Sequence, residues 1–127
     1  MKKKIDYGFL PRPIEMMETA AYRQLSLSAH RVLDRLEIAL HKTAGKANGE
    51  LRVTYLQFVQ YGVRRNSIQP ALNELVAAGM VEITRKGRSG NNEFRRATWY
   101  RLTYRDTAES RATHEWRQFK AVALKVA

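Results

Sequence analysis

Three amides, Asn66, Gln69 and Asn73, stand three and four residues apart. On a helix that spacing puts them on one side. A carboxamide carries a donor and an acceptor side by side, the pattern that matches adenine N6 and N7 in the major groove of DNA. Arg64 and Arg65 precede them, with Ser67 beside Asn66. Guanidiniums in that place reach phosphates or a guanine edge. Pro70, set among the amides, has no N–H to give but has an apolar ring for a thymine methyl. A second set of cations, Arg85, Lys86, Arg88, Arg95 and Arg96, is spread through a polar stretch that also holds Gly87 and Gly90. Arginines on such a connection lie along a phosphate backbone or read the width of a minor groove. All of this is recognition chemistry. There is no Ser/His/Asp arrangement and no phosphate-binding glycine motif, so an enzyme is not expected.

The composition agrees. The 127 residues carry 23 Lys and Arg against 12 Asp and Glu, a net charge of +11. An excess of that size implies a polyanionic partner, nucleic acid before a membrane surface. It is unevenly placed: residues 51–105 hold ten basic and three acidic side chains. There is no cysteine, which excludes disulfides, thiol catalysis and cysteine-based zinc sites. His30, His41 and His114 are too dispersed to suggest a metal cluster. No cofactor and no small-molecule effector are expected. No apolar run reaches the roughly 20 residues of a membrane span, and the basic start is broken by Asp6, Pro11 and Pro13. The expectation is a cytoplasmic protein, held on the nucleoid when bound to DNA.

Residues 1–12 read as an extended basic arm, residues 13–105 as one domain and residues 106–127 as a C-terminal helix. Within the domain, a short helix is predicted from Pro13 through Ile14, Met17 and Ala21. The next, capped by Ser26 or Ser28, has the stripe Ala29, Val32, Leu33, Leu36 and Leu40. Asp34 and Glu37 resemble a carboxylate pair, but neighbours Arg31 and Arg35 favour surface ion pairs. Asn48-Gly49 marks a turn, and Leu51 and Val53 a brief strand. Thr54 caps a helix carrying Tyr55, Leu56, Phe58 and Val59, which stops at Tyr61-Gly62. Val63 is the plug of a tight turn. The following helix is predicted to begin at an Asn66 or Ser67 cap, with Pro70 in its first turn and Ile68, Ala71, Leu72, Leu75 and Val76 buried. Gly79 closes it. Met80, Val81 and Ile83 begin a strand, and Tyr100, Leu102 and Tyr104 alternate with Arg101 and Thr103 in another. Trp99 and Trp116 are expected in the core. The tail places Trp116, Phe119, Ala123 and Val126 on one side, and Trp116, Phe119 and Ala123 are candidates for contact with a second copy in a homodimer.

Helix, short strand, helix, glycine turn, helix, strand, basic loop, strand is the order of a mainly α winged helix-turn-helix domain with a small β-hairpin wing. The segments LRVTYLQFVQYGVRRNSI (51–68), ALNELVAAGMVEITRKGR (71–88) and YRLTY (100–104) resemble a group of small bacterial helix-turn-helix proteins typical of alphaproteobacteria. FLPRP (9–13) and LSLSAHRVL (25–33) are similar to the first helices of winged-helix domains in phage and plasmid replication initiators. The resemblance implies the fold. It leaves three functions open: a sequence-specific double-stranded DNA-binding transcriptional regulator, a replication or mobile-element maintenance protein using the same domain, and a winged-helix protein-interaction module.

Overall fold

A computed structural model of the chain describes residues 8, 9, 11–87 and 97–118. Two one-turn helices, α1 (Ile14–Met17) and α2 (Ala20–Arg23), stand where the sequence predicts a single helix. Thr19 divides them. Its backbone is extended, and its hydroxyl accepts the Tyr22 N–H. A threonine oxygen thus replaces the carbonyl that a continuous helix would have used.

Helix α3 (Leu27–Lys42) begins at Ser26, whose hydroxyl accepts the Ala29 N–H, and buries the predicted stripe Ala29, Val32, Leu33, Leu36 and Leu40. Helix α4 (Tyr55–Gln60) starts in a full capping box between Thr54 and Gln57. Helix α5 (Arg65–Ala77) starts earlier than predicted. Its cap position is Arg64, with no side-chain cap bond, so Asn66 and Ser67 already belong to its first turn. Pro70 therefore lies in the second turn, and the Asn66 carbonyl loses its helical donor.

Three helices end in the same way. At the end of α3, Gly45 N–H bonds Leu40 O and Ala44 N–H bonds His41 O. After α4, Val63 bonds Phe58 and Gly62 bonds Val59. After α5, Met80 bonds Leu75 and Gly79 bonds Val76. Each is a Schellman closure with a left-handed residue at its corner: Ala44 (φ 56°), Gly62 (φ 106°) and Gly79 (φ 73°). Val63 is buried beside Phe58, as a plug should be.

Strands β1 (Leu51–Arg52), β2 (Val81–Arg85) and β3 (Trp99–Leu102) form an antiparallel sheet in the order β1-β3-β2. Leu51 and Ile83 both oppose Tyr100, Val81 opposes Leu102, and Arg52 and Arg85 both oppose Trp99. The strand of residues 51–52 is thus the third member of the sheet, added to the predicted hairpin. One sheet face packs with α3, α4 and α5 in a single core around Leu33, Leu36, Phe58, Ile68, Leu75, Met80, Tyr100 and Leu102.

On the other sheet face, the alternating residues Arg101 and Thr103 are covered. Arg101 is buried, bonded to Glu82, Thr113 and Glu115, and Thr103 is buried with its hydroxyl donating to Gly79 O. Residues 113–118 fold back over this face and end in a 3-10 turn (Glu115–Gln118). Trp116 is buried there with its indole N–H on His114 Nδ1. It is thus a core residue of its own chain, as the sequence suggested, and is not free to meet a second copy. The helix expected over residues 106–127 is not formed at 106–114, which are irregular; Phe119, Ala123 and the remainder of it lie outside the described residues, as does the arm through residue 7. Val76, expected on the buried stripe of α5, is partly exposed at 40%.

Candidate nucleic-acid interface

Helix α5 has a clean division of faces. At about 100° per residue, Ile68, Ala71, Leu72 and Leu75 centre on one side, and all four are buried. Asn66, Gln69, Pro70 and Asn73 centre opposite and are exposed, as are Arg64 and Arg65 at the start. Ser67, between the faces, is half-buried. The predicted reading face is therefore the solvent face of this helix.

Two of its amides are not independent. The Tyr55 hydroxyl, from the first residue of α4, donates to Gln69 Oε1 at 2.7 Å. Gln69 Nε2 in turn donates to Asn73 Oδ1 at 3.0 Å. Tyr55 was not among the residues singled out from the sequence. It looks like one more aromatic of the α4 stripe, and only the packing of α4 on α5 brings it to the amides.

The helix pair is fixed from behind. Arg31 of α3 donates to Gly62 O in the turn at 2.9 Å. Glu74, on the flank of α5, accepts both the N–H and the hydroxyl of Ser26, at 2.8 and 2.7 Å. The start of α3 and the middle of α5 are thus tied to each other.

The second cation set is described only at its base. Arg85 and Lys86 are placed; Arg88, Arg95 and Arg96 lie outside the described residues. Arg85 is stacked on Trp99, its guanidinium 4.8 Å from the ring centroid, and Arg52 of β1 lies over the same ring at 4.6 Å. Trp99 is accordingly not a core residue but a half-buried platform holding two cations. The sequence carries a signal for this: Arg52 follows the buried Leu51, so it must sit on the outward face, where the register brings Trp99 beside it. Stacking leaves the guanidinium edges free to donate.

Among the described residues, the ion pairs involve Arg12, Arg101 and Arg117. Arg12 binds Asp34 and Glu37, the two carboxylates that sequence proximity assigned to Arg31 and Arg35. It also donates to Tyr22, and Tyr104 donates to Glu37. Burial alone would pull the Arg12 guanidinium down, but the bonds to Glu37 and Asp34 outweigh it and hold it above its usual value. Arg101 follows the same pattern, with Glu82 and Glu115 outweighing its burial. None of Arg52, Arg64, Arg65, Arg85 and Lys86 has an acidic partner among the described residues. Among those residues there is also no cluster of three metal-ligating side chains, and no helix is long and apolar enough to cross a membrane.

Comparison with known protein families, curated proteins and solved structures gives no match.

Proposed function

We propose that the chain is a winged helix-turn-helix protein that reads double-stranded DNA and acts as a transcriptional regulator. In this reading α4 and α5 are the helix-turn-helix, α5 lies in the major groove, and the loop between β2 and β3 is the wing. One observation carries it: the solvent face of α5 is an amide surface preceded by Arg64 and Arg65, which have no acidic partner among the described residues. A helix face of amides and arginines has the donors and acceptors that base edges require.

Affinity comes from phosphate neutralisation. Arg64 and Arg65 stand at the start of α5, and Arg52, Arg85 and Lys86 at the base of the wing. If these five cations each meet a phosphate, log Kobs falls with log salt at a slope of about −4 to −5, before the rest of the wing adds to it. Specificity comes from the α5 amides. The same duplex binding would serve a regulator and a replication protein; the position of its sites on the genome separates the two.

The test is selection of bound sequences from a random duplex library at about physiological salt. A consensus supports the reading, and two half-sites about one helical turn apart add a homodimer to it. Retention of duplexes without a consensus replaces it with an architectural role. No retained duplex moves the protein to the interaction-module class.

A further inference from the structure

We infer that Tyr55 sets the polarity of the reading face, so that Asn73 presents N–H donors and selects guanine. This rests on the DNA-reading proposal and deepens it, naming a positioning residue and the base it imposes.

The hydrogen-bonded chain runs Tyr55 to Gln69 to Asn73. Its direction follows from the groups involved. A phenol is a strong donor and a weak acceptor, because its lone pair is drawn into the ring, whereas an amide oxygen is a strong acceptor. Tyr55 therefore donates outward and fixes Gln69 with Oε1 toward the phenol and Nε2 toward Asn73. Asn73 receives that proton on Oδ1. Both protons of its Nδ2 remain for a partner, with the second Nε2 proton of Gln69 beside them.

The outer end of this chain is rich in donors, and each of its oxygens already accepts one bond. Adenine asks an amide for one donor and one acceptor, for N7 and N6. Guanine offers two acceptors, N7 and O6. Asparagine read by itself predicts adenine; asparagine at the end of a chain that begins on a phenol predicts guanine.

The experiment is the same duplex selection on four proteins: wild type, Asn73→Ala, Tyr55→Phe and Asn73→Asp. The Asn73→Ala protein identifies the base position that Asn73 reads, because preference vanishes there. At that position the wild type should favour guanine over adenine by about tenfold. Tyr55→Phe keeps the ring and the helix but removes the donor, so the amides are free to turn. Guanine and adenine should then be accepted to within about twofold, with affinity for random duplex and its salt slope unchanged. Asn73→Asp replaces donors by acceptors and should move the preference to cytosine. In the free protein, the side-chain amide signals of both Gln69 and Asn73 should shift on Tyr55→Phe. A wild-type consensus that carries adenine, or keeps its guanine in Tyr55→Phe, overturns the inference and leaves DNA reading standing. Unshifted Asn73 amide signals also overturn it. Failure of the wild type to retain duplex overturns both.

Discussion

Asn48 and Leu102 hold each other by two opposed hydrogen bonds. The Asn48 amide donates to the Leu102 carbonyl at 2.9 Å, and Oδ1 accepts the Leu102 N–H at 2.7 Å. A buried side chain thereby continues, for one residue beyond β1, the ladder on that edge of β3. The same Nδ2 lies 2.9 and 3.2 Å from the carbonyls of Arg105 and Asp106, which fastens the segment leaving the sheet. Replacement by alanine strands a buried N–H and several carbonyls at once. Asn48→Ala should cost about 2–4 kcal/mol. Asn48→Asp should be no better, since it turns an acceptor toward those carbonyls. Chemical denaturation of the two variants checks this, and a loss under about 0.5 kcal/mol would show the amide to be dispensable.

Two buried phenols make the fold sensitive to alkali. Burial, first of all, pushes Tyr100 from 10.0 up to about 12. Burial and then the neighbouring Glu37 push Tyr104 well above its ordinary value. A phenol that is harder to ionise when folded stabilises the fold below its unfolded value and loses that stabilisation as pH rises toward the folded one. Stability should therefore hold at neutral pH and fall between about pH 10 and 12, by up to about 1.4 kcal/mol per pH unit for each phenol. Melting curves across that range for wild type and Tyr104→Phe should diverge, with the variant losing less per pH unit. Parallel curves would contradict the assignment.

The corner after α3 is made by Ala44, which adopts φ 56° with a Cβ that disfavours it. The equivalent corners after α4 and α5 carry glycine. Ala44→Gly should stabilise the protein by up to about 1 kcal/mol, since removing the Cβ relieves more than the added unfolded-state freedom takes away. The residue is exposed and its side chain is not needed for packing. A lower melting temperature for this variant would count against the geometry.

Arg85→Ala and Arg52→Ala should weaken binding to a selected duplex and to random duplex by the same factor, and each should reduce the salt slope by about one. Trp99→Leu should produce a smaller uniform loss, because it releases both guanidiniums without removing them. Titrations at several salt concentrations distinguish this from base reading. A loss confined to the selected sequence would place these arginines on base edges instead.

What could be read from the sequence was whatever a single element decides for itself. The α3 stripe needs only its own period, and the α4 cap needs only Thr54 and Gln57. The solvent face of α5 follows from subtracting its buried residues. Features decided by a second element were not legible. The partner of Glu37 is Arg12, on the far side of two short helices, and not the adjacent Arg35. Arg101 alternates correctly, but alternation says only that it leaves one face, not that residues 113–118 cover the other. Trp99 has the composition of a core residue and the register of a platform. The start of α5 was displaced because Asn66 and Ser67 are good caps in isolation, while the turn at Gly62 and Val63 launches the helix before they are reached.

The three Schellman closures also bear on how quickly the chain finds its shape. Each joins residues no more than five apart, so the corners after α3, α4 and α5 can close from local interactions alone. The sheet is different in kind. Leu51 must find Tyr100 with both α4 and α5 lying between them in the chain, and Asn48 must find Leu102. Loop closure over such a span carries an entropy that local bonds do not repay. The rate at which this protein folds should therefore be set by the arrival of β1 on β3, with the helices waiting for it.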